Sequence, residues 1–357
     1  MPIIKIGSVG IGGISRWVHQ PGIEKSSDLE LVALCDIDPE TLKWAQENYG
    51  IDAAHCFTDY RDLIRCPDVD AVDISTSNDA HYEIALAAAN AKKPFCLEKP
   101  LTLSGEQADL LEKAVEENHV KNMVCFSYRF KAAARYAKEL IARGMLGEIY
   151  HVDMQYYQAW GLPFCETPRL WRFEKKRTGS GALGDLGSHA LDLVRFVTGK
   201  EYKRVVSHTG TFIHERKSLA GSWQEPVDVD DFSNYMAEME GNTAATFRIT
   251  RFAYGRGNYQ TMEIYGSEGA LQYELDHAAP DTDEIHICIG RANGEAHVFS
   301  KIPVPKEYQA DQMQAFADLI NGKGDGKAAT VSDGQINQHA MDAVLRSAET
   351  GTWEKIQ

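Results

Sequence analysis

Short apolar runs alternate with longer amphipathic stretches from residue 1 to about residue 127. Ile3–Val9, Leu29–Cys35, Ala71–Ser75, Pro94–Leu97 and Met123–Phe126 read as strands, with Pro39–Tyr49, His81–Asn90 and Ser104–Asn118 as the helices between them. Repeated βαβ units of this kind close right-handed into a doubly wound parallel sheet, with ligands at the carboxyl ends of the strands. After a helical stretch at Lys131–Arg143 the pattern changes to long alternating runs: Glu148–Gln158, Asp231–Glu240, Ala244–Arg251 and Gln260–Gly266. These predict a largely antiparallel sheet. Leu186–Thr198, with Gly199 as its C-cap, and Asp333–Glu349 read as further helices.

Length turns this pattern into two domains, because 357 residues exceed what one core comfortably serves. The expected class is α/β: a doubly wound domain over residues 1–127, then an α+β domain over 128–357 with a large, mostly antiparallel open sheet and a closing helix at 333–349. With 43% apolar and 25% charged residues the chain is an ordinary packed protein. A net charge of -15 repels phosphate backbones and anionic lipid, which argues against nucleic-acid and membrane partners. No stretch approaches the roughly 18 apolar residues that cross a bilayer. The start, Met1-Pro2-Ile3-Ile4-Lys5, enters a strand without a signal-peptide pattern, and the seven cysteines form no CxxC pair. A reducing cytoplasm is the expected location.

Four motifs carry candidate chemistry. In Gly7-Ser8-Val9-Gly10-Ile11-Gly12-Gly13-Ile14-Ser15 a strand gives way to a helix beginning near Ile14. Gly10 would permit a tight turn, Gly12 would let a pyrophosphate approach the backbone, and the helix N-terminus would supply N–H donors. Ser15 stands where the Rossmann fingerprint has its third glycine, and glycine-rich turns also arise for structural reasons alone. Asp36 ends the second strand 24 residues after Gly12, near the spacing at which a carboxylate accepts from ribose hydroxyls. A carboxylate there repels a 2′-phosphate, and Ile37 offers no guanidinium, which favours NAD over NADP. The plainer alternative is a turn in Asp36-Ile37-Asp38-Pro39; Asp38 reads as a helix cap in either case.

Glu98-Lys99-Pro100 sits at a strand end on the ligand edge of the sheet. Lys99 is either a solvated surface group or a partly desolvated donor to a substrate hydroxyl. In Gly179-Ser180-Gly181-Ala182-Leu183-Gly184-Asp185-Leu186-Gly187-Ser188-His189-Ala190-Leu191-Asp192, helical spacing stacks Asp185 and His189 on one face with Asp192 close to it. A carboxylate beside an imidazole suits a general base, and a capping Asp185 with a packed His189 is the plainer reading. Metal ligation by the three is weaker, with no HExxH or cysteine pair beside them, so no metal is expected.

In order and spacing these features resemble the glucose-fructose oxidoreductase / inositol dehydrogenase / MocA family over nearly the whole chain. The resemblance implies that Lys99, Asp185 and His189 are catalytic, with His189 taking the hydroxyl proton as hydride passes to nicotinamide C4 of NAD. It also implies that Gly10, Gly12, Gly13, Ile14, Asp36, Ser75, Thr76, Asn78, His81, Glu98 and Lys99 line the cofactor. Tyr128-Arg129 and Trp171-Arg172 fall near the family's substrate pocket, and Trp160 lies in an insert-like stretch, Tyr156–Arg177, roomy enough for a glycoside. Substrate contacts are thus expected from Lys99, Tyr128, Arg129, Trp160, Trp171, Arg172, Asp185 and His189. The substrate would be a sugar, polyol, inositol or glycoside, and the assembly a homodimer or homotetramer. Two other functions stay open: glycoside processing with tightly held, internally recycled NAD, and a non-catalytic NAD-binding regulator.

Overall fold

The apolar runs of the first 127 residues become strands β1 (Ile4–Val9), β2 (Leu29–Cys35), β3 (Cys56–Phe57), β4 (Ala71–Ile74), β5 (Phe95–Leu97) and β6 (Asn122–Val124). All pair in parallel, in the order β3-β2-β1-β4-β5-β6. The order reverses between β1 and β4, and the crevice at such a switch point is where an open α/β sheet takes its ligand. This is a computed structural model that describes residues 2–221, 223–276, 283–289 and 298–357. The chain packs as two units, Met1–Ser127 with Ala310–Gln338, and Tyr128–Gln309 with His339–Gln357.

In the first unit, helices Pro39–Tyr49, Asn78–Asn90 and Gly105–Asn118 follow the amphipathic stretches. Asp38 caps the first of them, accepting from the Glu40 and Thr41 amides as expected of it. Small residues on the other two (Ala85, Ala88, Ala89, Ala108) bring helix backbones close to the sheet, around a core that includes Val72, Ile74, Phe95, Leu97 and Val124. The residue pattern alone gives no sign that the chain returns to this unit after residue 309. The Val124 amide donates to Ala329 O at 2.9 Å and the Val331 amide to Asn122 Oδ1 at 2.7 Å, so the returning segment covers the outer edge of β6.

The second unit holds β7 (Ile149–Tyr157), β8 (Tyr202–Gly210), a small hairpin of β9 (Glu215–Lys217) and β10 (Gln224–Pro226), then β11 (Phe232–Met239), β12 (Ala244–Thr250), β13 (Tyr259–Gly266), β14 (Gly269–Leu275), β15 (Asp283–Ile289), β16 (Ser300–Ile302) and β17 (Glu354–Lys355). The main sheet runs β16-β15-β14-β13-β7-β12-β11-β8-β17 and is antiparallel except between β7 and β12. Helices Ala132–Ala142 and Ser188–Thr198 contribute Ala133, Ala137, Leu191 and Val194 to its core, with Val152, Met154, Phe247 and Ile264 from the strands. Alternation leaves Tyr150 and Met236, with Trp353, exposed. Helix Val331–Thr350 divides between the units, giving Val331 to the first core and Ala340, Met341, Ala343 and Val344 to the second. Among the described residues no helix is long and apolar enough to cross a membrane.

Candidate functional site

In the first unit the glycine turn follows β1 directly. Gly10 has φ +86°, and a Cβ there would lie 2.9 Å from the Ser75 carbonyl, so both conformation and space demand glycine. A Cβ on Gly12 would meet nothing within 4 Å. Packing therefore does not require that glycine, and a side chain there would fill the cradle in which a pyrophosphate lies against the backbone. Gly13 lies beside the Trp17 ring, and the helix starts with a π-type turn, Ser15–His19, passing into α-helix Gln20–Lys25. Ser15 is fully buried and its hydroxyl accepts from Gln20 Nε2, so it serves the close packing of a third glycine. Ile14 is half-buried at the head of this run.

Asp36 supports both of its readings. Oδ2 accepts from the Ile11 amide at 2.8 Å and Oδ1 from the Asp38 amide at 2.9 Å, which shapes the turn. Each oxygen keeps a further lone pair, and the residue is half-exposed, so capacity for ribose hydroxyls remains. Ser75 Oγ donates to Gly10 O at 2.8 Å, which ties the end of β4 to the glycine turn beside Thr76 and the buried Asn78. These residues, with Gly12 and Gly13, suit a dinucleotide.

His81 departs from the expected role. It is fully buried, with Nδ1 2.8 Å from Pro100 O and Nε2 3.3 Å from Thr76 O, so both ring nitrogens meet backbone rather than ligand. Burial lowers its pKa, opposed by the Pro100 carbonyl, Glu98 and the Thr76 carbonyl, and the neutral ring donates to one of the two carbonyls while packing against the other. Lys99 is half-buried at the end of β5, and its amide donates to Glu98 Oε2 at 3.2 Å.

In the second unit, Asp185 lies in another π-type turn, Leu183–Gly187, that leads into helix Ser188–Thr198 with His189 in its first turn. Such π turns recur at functional sites. The turn is fixed from β11's approach: Asp230 Oδ1 accepts from the Gly181 amide at 2.6 Å and Oδ2 from the Leu183 amide at 2.8 Å. A Cβ on Gly181 would sit 1.9 Å from Asp230 O, so this glycine admits another backbone, not a ligand.

The His189 ring stands edge-on to Tyr128 with centroids 4.8 Å apart, and 6.3 Å from Tyr156. The two tyrosine hydroxyls share a 2.6 Å hydrogen bond, and Asn258 Oδ1 accepts from Tyr156 at 2.7 Å and from Gln158 Nε2 at 2.9 Å. Trp160 Nε1 donates to Gln158 Oε1 at 2.7 Å, which brings Trp160 into the network. Burial first, with the Asp185 carboxylate adding to it, raises the pKa values of Tyr128 and Tyr156. Both remain neutral donors at ordinary pH. Tyr156, Gln158, Asn258 and the inward Gln260 are functional candidates that sequence reasoning missed. Gln260 pairs opposite Tyr156 in the β7–β13 register, and a glutamine at an inward strand position was the available signal.

Arg129 is corrected. Its Nε and Nη2 donate to Asp192 Oδ2 and Oδ1 at 2.8 and 2.6 Å, both side chains are nearly fully buried, and its guanidinium lies over Phe196. It is an internal anchor rather than a grip on a ligand. Trp171 carries the Arg172 guanidinium 4.4 Å over its ring, while Trp160 packs edge-on to the buried Phe173 and under Arg251. Trp160 joins the tyrosine network through Gln158, whereas Trp171 faces the Arg172 and Arg177 guanidinium groups.

Residues 4–126 match the family described as "Oxidoreductase family, NAD-binding Rossmann fold", and residues 134–272 match the GFO/IDH/MocA C-terminal domain. Levoglucosan dehydrogenase of Pseudarthrobacter phenanthrenivorans is 30% identical over 350 residues, covering 90% of this chain and 88% of that protein. Inositol 2-dehydrogenase of Rhizobium meliloti is 28% identical, with 96% of each chain covered. Among solved structures, levoglucosan dehydrogenase in complex with NADH and L-sorbose superposes with a TM-score of 0.89 at 29% identity, covering 100% of both chains. An oxidoreductase domain protein from Kribbella flavida gives 0.90 at 29% identity, again over 100% of both.

Proposed function

This chain belongs to the GFO/IDH/MocA oxidoreductase family and is an NAD-dependent oxidoreductase, and on that premise we propose that its substrate is a secondary hydroxyl of a sugar, inositol or glycoside. NAD, when bound, supplies the hydride acceptor at nicotinamide C4. Gly12, Gly13, Asp36, Ser75, Thr76 and Asn78 would hold it, and Asp36 sets the preference against a 2′-phosphate. His189 takes the hydroxyl proton, Asp185 orients the imidazole and supports its charge, and Lys99 donates to the hydroxyl oxygen. Tyr128 and Tyr156, kept neutral by burial, with Gln158 and Trp160, would exchange hydrogen bonds within their network for bonds to the remaining substrate hydroxyls.

The observation that carries this reading is the company His189 keeps: a carboxylate four residues before it and the rings of two tyrosines, themselves joined through their hydroxyls, 4.8 and 6.3 Å from its own. The test is a panel of levoglucosan, myo-inositol, monosaccharides and glycosides with NAD, followed by the absorbance of reduced nicotinamide. Turnover is expected, and His189→Ala should lower it on the order of 10²–10⁴-fold while NAD affinity stays near that of the parent. Release of free sugar without net NADH would move the assignment to internally recycled cofactor. Silence across the panel, with no sugar released, would defeat both.

The same reading extends to assembly and location. The exposed Tyr150, Met236 and Trp353 support a homodimer or homotetramer formed through the open sheet, to be read by light scattering. Seven free cysteines, four of them buried, support a reducing cytoplasm.

A further inference from the structure

His19 lies on the first helix, in the fully buried interior of the first unit. Its Nδ1 is 2.6 Å from Asp73 Oδ1 and its Nε2 is 3.0 Å from Glu98 Oε1. A neutral imidazole donates from one nitrogen only, and an ionised carboxylate only accepts. Satisfying two carboxylates at once therefore calls for a doubly protonated ring. Burial works against that charge, but Asp73 and Glu98 outweigh it and hold His19 well above the usual histidine range. Asp73, whose own burial would raise it, is held below the carboxylate range by His19. The other titratable groups facing the cluster include Cys96, with Sγ 3.3 Å from Asp73 Oδ1, Cys125, and the buried His81, which faces Glu98; burial keeps Cys96 a neutral thiol.

The contacts form a path across four elements. Asp73 belongs to β4 and also accepts from Ser8 of β1, His19 comes from the helix after the glycine turn, and Glu98 follows β5. Glu98 Oε2 then accepts from the Lys99 amide. Rotating or withdrawing the carboxylate would release this hydrogen bond to the Lys99 backbone.

We propose that His19 is a positioning residue for Lys99: it fixes the Glu98 carboxylate, which in turn fixes the backbone that presents the Lys99 ammonium to the substrate hydroxyl. The proposal rests on the reading that Lys99 acts on that hydroxyl. The competing use of the cluster is a metal site, because His19, Cys96 and Cys125 offer ligand atoms within 4.8 Å of one another. A metal would need a ring nitrogen with a free lone pair, and both are turned to carboxylates.

The test joins kinetics on levoglucosan and myo-inositol with NAD to ¹⁵N NMR of the intact protein. In the parent, both His19 ring nitrogens should carry protons at pH 7. His19→Gln should lower kcat on the order of ten- to a hundredfold, shift the Lys99 amide resonance, and leave NADH affinity within about twofold. Adding Glu98→Gln, which removes the carboxylate charge left unpaired, should recover part of the lost kcat; a merely structural role gives no such recovery. A neutral His19 ring at pH 7, an unmoved Lys99 amide in folded His19→Gln, unchanged kcat in that variant, or stoichiometric zinc in the purified protein would each overturn the proposal. Lys99→Ala separates the two levels. If it keeps full kcat, the role given to Lys99 fails; if it is inactive while folded His19→Gln is fully active, only the positioning fails. Should His19→Gln not fold, the parent ring spectrum and the Lys99 amide of Glu98→Gln still decide, and if neither sugar is oxidised the same resonances decide.

Discussion

Arg129 meets Asp192 through two hydrogen bonds of 2.8 and 2.6 Å, with the side chains only 5% and 3% exposed. Removing either partner leaves the other charge buried alone. Arg129→Ala and Asp192→Ala should each cost about 3–5 kcal/mol, read as a lowered midpoint in denaturant. A variant that keeps its stability and loses only substrate affinity would return Arg129 to the substrate pocket.

Gly10 and Gly12 are two residues apart and should fail differently. Gly10→Ala forces a side chain into left-handed backbone against the Ser75 carbonyl, so the first unit is destabilised by about 1–3 kcal/mol. Gly12→Ala adds a methyl where no atom lies within 4 Å, so folding is unchanged. NADH affinity should nevertheless fall at least about tenfold, or 1.4 kcal/mol. Fluorescence titration of NADH beside thermal melting distinguishes the two, and equal NADH binding by parent and Gly12→Ala would remove the pyrophosphate from that turn.

Tyr156→Phe removes the hydroxyl shared among Tyr128, Asn258 and Gln158 while keeping the ring. The expected loss is about 1 kcal/mol of stability and a rise of roughly tenfold in KM for the polyol, with kcat reduced less. An unchanged KM would mean the network is only packing.

The buried His19–Asp73 pair sets a pH window for stability. His19 has its pKa raised on folding, so its contribution is complete below about 6.5 and declines as pH rises towards the folded value. Asp73 has its pKa lowered, so its contribution is complete above about 3.9 and declines as pH falls towards the folded value. Melting temperature against pH should show both declines in the parent. In His19→Gln the alkaline decline belonging to His19 should vanish, and an identical profile would disprove the linkage.

Local information reached the alternation of strands and helices, the two glycine turns, the Asp36 carboxylate and the Asp185/His189 pair. Each depends on neighbours within one or two turns of chain, except Asp36, which its 24-residue distance from Gly12 marks out. The contacts that organise the sites were out of reach for the opposite reason. His19 meets residues 54 and 79 positions away, Arg129 meets Asp192 at 63, and Asp230 holds Gly181 from 49 positions downstream. One trace was visible: Asp73 is a charge inside the apolar strand Ala71–Ile74, and a carboxylate at a core position needs a partner. The two-residue β3 was too short for any periodicity to register.

The bond from the Val331 amide to Asn122 spans 209 residues, and that distance is also a delay. During synthesis β6 emerges long before the segment that covers its edge, and at about 5–20 residues per second the interval is on the order of ten to forty seconds. Through that time the half-finished sheet offers unpaired backbone to any neighbouring strand. The nucleotide-binding half of this chain therefore reaches its final form only after most of the other half has been made. An early-arriving ligand or chaperone would matter most in that interval.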